Sequence, residues 1–142
     1  MIQMKFSYLK YRITSPDQKL VSYVYRPVIP IKLFSGNNHL KFKALIDAGA
    51  DKCTFPGWIA DRLGFDIYKG EKMIFSGIGG SVLTYLHKTN IKVNELELYL
   101  DIYYSHEWDD MPFGLLGQSG FFSHFEVCFN YKEKFIQLKS YS

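Results

Sequence analysis

The chain has 142 residues, 47% hydrophobic and 22% charged, which is the length and balance of one globular domain whose core needs no disulfide staples. Seventeen basic residues against fourteen acidic ones leave a net charge of +3 with scattered lysines, a pattern that does not argue for a nucleic-acid partner. No run approaches the ~18 apolar residues of a membrane span. The N-terminal Met1-Ile2-Gln3-Met4-Lys5 has no signal-peptide core, and Cys53 and Cys128 read as free thiols of a reducing compartment. The expectation is a soluble, cytoplasmic protein with no membrane contact.

Period-2 alternation dominates the chain. Residues 5–14 and 19–26 are rich in Tyr, Val and Ile, and Ser15-Pro16-Asp17 between them reads as a turn. Residues 28–34 form a further strand, which Pro27 and Pro30 mark as an edge or an entry. Ser35-Gly36-Asn37-Asn38 turns the chain into a strand over 40–46. Pro56 to Leu63, stopped by Gly64, spells two turns of helix. Strands at 71–76 and 81–88 flank Gly77-Ile78-Gly79-Gly80, a hairpin tip. Leu96, Leu98, Leu100 and Ile102 alternate with Glu97, Tyr99 and Asp101, as in a strand with one buried face. A short buried strand at Leu115-Leu116, a helical turn over 118–124 and strands at 125–130 and 134–139 complete an all-β pattern.

Several short motifs carry possible chemistry. Asp47 ends the apolar run Ala44-Leu45-Ile46 and enters Ala48-Gly49-Ala50-Asp51. Taken alone this is a turn; it also suits a carboxylate held at a strand end where Gly49 admits close backbone approach. Gly77 to Gly80 lacks the Lys-Ser/Thr ending of a phosphate loop and fits a plain hairpin tip or a mobile flap that excludes water from a ligand. His106-Glu107-Trp108-Asp109-Asp110 lacks the second histidine of a zinc-protease helix, so solvated loop charge is the expected reading and no metal or cofactor is expected. Cys53 or Cys128 with one of four histidines supplies the ingredients of a thiol hydrolase, though their adjacency is not legible in sequence.

In order along the chain, three motifs form a pattern: Ala44-Leu45-Ile46-Asp47-Ala48-Gly49-Ala50-Asp51, then Lys72 to Gly80, then Leu115-Leu116-Gly117-Gln118. This resembles the retropepsin-like aspartic proteases, single-domain relatives of the retroviral proteases, across roughly residues 27–138. The resemblance implies a closed acid-protease barrel with a β-hairpin flap and one or two short helices. It assigns residues 1–26 to an N-terminal β-hairpin extension and 27–142 to the protease domain. It implies an aspartic endopeptidase acting on an extended peptide or protein substrate. With only one such Asp-x-Gly in context, the active site is expected at a homodimer interface, where Asp47 from each subunit activates water. Ala48, Gly49, Ala50 and Asp51 would form the catalytic loop, and Phe75, Ser76, Gly77, Ile78, Gly79 and Gly80 the flap. Phe55 and Leu115 would line pockets. Two departures stand out. Position 48 is usually Thr or Ser in the family, linking the two loops across the axis, and is Ala here; position 118 is often Arg and is Gln here. They favour the alternative of an inactive peptide-binding or dimerisation module on the same fold.

Overall fold

A computed structural model of the chain describes residues 1–77 and 79–141. Twelve strands, one short α-helix and three shorter helical turns make up the regular structure of the described residues. Six strands close into a barrel: β4 (Val28–Ser35), β5 (Asn38–Ile46), β10 (Gly114–Leu116), β6 (Cys53–Pro56), β9 (Leu96–Ser105) and β8 (Gly80–Val93), in that spatial order, with β8 returning to pair with β4. Four of the six contacts are antiparallel; β5 with β10 and β6 with β9 are parallel. Closure removes the open edge that a six-stranded sheet would present.

The barrel interior is filled by the alternating apolar positions of its strands. Ile29, Ile31 and Leu33 of β4, Ala44 and Ile46 of β5, Ile91 and Val93 of β8 and Leu100 and Ile102 of β9 are all buried. On β9 the expected alternation holds up to Asp101. From Ile102 to Ser105 every residue is buried, because there the strand runs between β6 and β8. Helix α1 (Gly57–Arg62) begins just after Pro56, as the sequence predicts, and sends Ile59 and Ala60 into the same core.

Pro30 sits within β4 and faces Lys43 of β5. On its other side β4 meets β8 only at 32–34, so the proline lies where that side carries no ladder to interrupt. The strand is locally an edge even though the barrel is closed.

The chain ends build a second layer. Strand β1 (Gln3–Ser7) pairs with β12 (Phe135–Ser140), which also pairs with β11 (Phe125–Asn130). Met4, Phe121, Phe125, Ile136 and Leu138 join this small sheet to the main core. The single strand expected over 5–14 is therefore two. Tyr8 breaks it by donating its N–H to Lys134 O at 2.9 Å. Residues 9–26 then fold back as an isolated hairpin, β2 (Leu9–Thr14) with β3 (Val21–Arg26). Tyr11 of this hairpin meets Phe113 edge-on, with ring centroids 6.1 Å apart.

Other differences from the sequence reading are local. Strand β8 runs on from 88 to Val93 through the polar stretch Lys88-Thr89-Asn90. Thr89 is fully buried there because its hydroxyl meets the Tyr104 hydroxyl at 2.8 Å. Strand β6, unanticipated, is buried at all four positions. The helical turn at Gln118–Phe122 is irregular, broken at Ser119 and at Gly120, whose φ is +110°. No helix among the described residues is long and apolar enough to cross a membrane.

Candidate active site

The parallel pairing of β5 with β10 aligns Ile46 with Leu116, so both strands end at one level and their following loops leave side by side. Asp47 N donates to Leu116 O at 3.0 Å, which places the aspartate directly beyond the strand pair. The loop then doubles back: Ala50 N donates to Asp47 O at 3.1 Å. Gly49 N donates to Asp47 Oδ1 at 2.9 Å. The side chain is thus held by the loop's own amide, in the Asx-turn manner.

The loop from β10 locks against this turn. Gln118 N donates to Ala50 O at 2.8 Å and Ser119 N to Asp51 O at 2.9 Å. The Gln118 side chain reaches back as well, its Nε2 donating to Ala48 O at 2.7 Å. Gly117 makes the approach possible: a Cβ there would lie 2.3 Å from Lys52 O and 2.7 Å from Ala50 O. The amide of position 118 therefore does, without charge, a bridging task between the two loops. Ala48 is exposed and offers no hydroxyl.

Above this floor stands the hairpin of β7 (Glu71–Gly77) and β8, with Gly77 opposite Gly80 at the tip. Gly80 adopts φ +115°, a conformation that favours glycine. A cleft of about 410 Å³ separates hairpin from floor. Gly49, Ala50 and Asp51 form its base, Thr54, Leu115 and Trp108 a wall, and Ile74, Phe75 and Ser76 the roof. Phe75 packs on Tyr103 at 5.0 Å between ring centroids and stands 6.5 Å from Trp108. Burial, then the Asp101 and Glu71 carboxylates, raise the Tyr103 hydroxyl above its ordinary value, which keeps that ring neutral beneath the hairpin.

Of the residues singled out in the sequence, Gly49, Ala50, Asp51, Phe75, Ser76 and Leu115 converge on the cleft. Asp47 is half-buried beside its base and Ala48 is exposed. Gly77, Gly79 and Gly80 are exposed at the hairpin tip, while Ile78 lies outside the described residues. Phe55 is only 1% exposed. Its ring packs under Gly114 and touches a small apolar cavity behind the wall, so it supports Leu115 from within. Trp108 and Thr54 were not anticipated. An aromatic residue stranded among four charged or ionisable neighbours was the available signal for Trp108. Thr54 lies on the unanticipated β6 and had none.

The thiols stand apart from this geometry. Cys53 is buried with Sγ 3.8 Å from Ser119 O, and burial pushes its thiol up to about 11. Cys128 is exposed on β11. Three of the four histidines have nitrogens engaged elsewhere: His87 with Ile67 O, His124 with Gly120 O, and His106 with Asp109. Among the described residues, no group of three or more His, Cys, Asp or Glu is arranged to hold a metal ion.

The sequence matches no protein-family model and no curated protein. Solved structures match it strongly in shape. A retropepsin-like aspartic protease from Rickettsia conorii superposes with a TM-score of 0.63 at 17% identity, over 97% of this chain and 99% of that one. That alignment leaves only a few residues uncovered and so takes in much of the N-terminal segment. The EIAV protease complexed with the inhibitor HBY-793 superposes with a TM-score of 0.50 at 22% identity, over 75% of this chain and 88% of that one. The chain has the retropepsin-like fold: a closed barrel, a hairpin over its open side, and an Asp-x-Gly turn beneath. A fold alone does not fix an activity; the residues at the site do.

Proposed function

We propose that this chain is an aspartic endopeptidase whose active site forms between two copies, each contributing Asp47. The carrying observation is the placement of Asp47. It stands at the paired ends of β5 and β10, beside a cleft roofed by a glycine-tipped hairpin. One chain supplies one such aspartate, and a twofold axis beside the loop would supply the second, since a symmetric interface brings identical residues together.

Two carboxylates that close do not readily ionise together, so the pair shares a proton and titrates as a unit. The ionised member takes a proton from water as the water attacks the scissile carbonyl. The protonated member donates to the developing oxyanion. The hairpin acts as a flap that closes over the peptide and excludes bulk water. The peptide lies extended between flap and floor, its backbone bonded in strand fashion and alternate side chains seated in pockets. Asp51 at the base is the group placed to meet its backbone, and Leu115, Phe75 and Trp108 favour apolar side chains. Residues 27–142 carry this machinery, in a reducing, cytoplasmic setting that suits two free cysteines.

The test is cleavage of a diverse peptide library from acid to neutral pH, run beside Asp47→Asn. Cleavage abolished by the substitution supports the proposal; cleavage left unchanged removes Asp47 from catalysis. A second reading has its own support in Ala48, which leaves the loop without a hydroxyl at its exposed turn. An inactive peptide-binding or dimerisation module would bind library peptides and cleave none at dimer-saturating concentration.

A further inference from the structure

The segment His106 to Asp110, expected as solvated charge, keeps His106, Glu107 and Asp110 exposed, is braced by one contact within itself and is tied to helix α1 at two points. His106 Nδ1 lies 2.6 Å from Asp109 Oδ2, and His106 Nε2 lies 3.2 Å from Asp61 Oδ2. Asp109 turns its other oxygen, Oδ1, to accept the N–H of Trp58 at 3.0 Å. Asp61 and Trp58 belong to α1, so one imidazole and two carboxylates clasp that helix to the turn His106–Trp108. The fit at this junction is close: a Cβ on Gly57 would stand 2.7 Å from His106 N. Within the turn, Glu107 N donates to Ser105 Oγ and the Asp109 and Met111 amides donate to the His106 and Trp108 carbonyls. The turn carries Trp108, the wall of the cleft that faces Phe75.

Imidazole chemistry makes the clasp depend on a proton. Both partners are carboxylate oxygens, which accept only. The neutral ring has one N–H and one lone pair, so it can donate to one of them; the imidazolium donates to both. On loss of the proton, the longer contact to Asp61 is the one to part. The groups that face His106 are Asp61 on α1, Tyr68 on the turn Ile67–Lys69 with its ring 6.4 Å away, Tyr85 on β8, and Glu107 and Asp109 of its own turn. Arg62, the cation of α1, is directed at the Trp58 ring.

We propose that His106 is a positioning residue that fixes the Trp108 wall while protonated. The preference of the cleft for large apolar substrate side chains is then strongest while the imidazole carries both protons and declines as one is lost. The specificity half of this inference rests on the proposed peptidase function; the positioning half does not.

The experiment separates the two. In a Trp58→Phe background Trp108 is the sole tryptophan, and its fluorescence is followed from pH 5 to 8.5. A single-proton transition is expected, absent in His106→Gln and much reduced in Asp61→Asn, whose amide can donate to the lone pair of the neutral ring and so hold the clasp without the proton. A flat titration in the parent, or a transition that survives His106→Gln, overturns the proposal. Far-UV circular dichroism checks that His106→Gln folds; should it not, Asp61→Asn decides, and a transition of undiminished amplitude there overturns the proposal. A second arm compares peptides bearing Phe or Ala at one position. The Phe-to-Ala ratio of kcat/KM falls several-fold with rising pH in the parent and stays level in His106→Gln; a ratio that tracks pH equally in both overturns the specificity half. Absence of cleavage at every pH refutes the peptidase reading, and with it the specificity half, while the fluorescence still decides the clasp.

Discussion

Gly117→Ala tests the way the site is assembled. The new Cβ would stand 2.3 Å from Lys52 O and 2.7 Å from Ala50 O, where ordinary contact begins at 3.4 Å. Both obstacles are backbone carbonyls, so relief requires the two loops to part by about 1 Å. Position 117 itself is extended, with φ −105° and ψ −172°, so the cost is steric and not conformational. Overpacking of this kind costs ~1–3 kcal/mol. Parting the loops also weakens the bonds from Gln118 N and Ser119 N to the carbonyls of Ala50 and Asp51, each worth ~0.5–1.5 kcal/mol net. A total of about 3 kcal/mol, at ~3 °C per kcal/mol for a domain of this size, lowers Tm by roughly 10 °C. Gly77→Ala is the control, because a Cβ there meets nothing within 4 Å; a surface change of that kind stays within ~0.5 kcal/mol. Thermal denaturation by circular dichroism reads both variants. In the cleavage assay the ~1 Å displacement beside Asp47 costs Gly117→Ala ~100-fold in rate. If Gly117→Ala melts and cleaves like the parent, the two loops do not approach as described.

Thr89→Val strands the fully buried Tyr104 hydroxyl and should cost ~1–3 kcal/mol in urea denaturation. Adding Tyr104→Phe should recover part of that loss, and strict additivity would deny the coupling. Cys128 should react with an alkylating reagent at pH 8 while Cys53 stays unmodified until the protein is unfolded; equal rates would contradict the burial of Cys53. Because burial raises the Cys53 thiol to about 11, its contribution to stability is intact below the ordinary thiol range near pH 9. It is lost as pH climbs from there through about 11, and Cys53→Ala should flatten that part of the alkaline stability profile. Ala48→Thr should tighten self-association several-fold in sedimentation, by restoring a hydroxyl at the exposed turn; an unchanged dissociation constant removes position 48 from the interface.

Those features carried by local rules were legible in the sequence. Asp47 follows an apolar run and precedes Gly49, the hairpin tip is spelled by glycines, and α1 starts just after Pro56 and stops before Gly64. What escaped depends on partners far along the chain. Lys88-Thr89-Asn90 looks like the end of a strand, yet it continues because β9 pairs along it and Tyr104 satisfies the Thr89 hydroxyl. Strand β6 is four residues long and exists through its neighbours β9 and β10. The split at Tyr8 follows from Lys134, 126 positions later. Trp108 sits on a turn whose His106 meets Asp61 of α1, a link that no spacing rule contains.

The central claim, that each active site takes Asp47 from two chains, is tested most directly by mixing. The parent chain and Asp47→Asn are equilibrated at a fixed total concentration above that needed for association, and peptide cleavage is measured against the parent fraction. If a site needs both aspartates, mixed pairs are silent, and an equal mixture retains about one quarter of the unmixed activity. Activity that falls only to about one half, in proportion to the parent fraction, would show that one chain acts alone and would contradict the shared dyad.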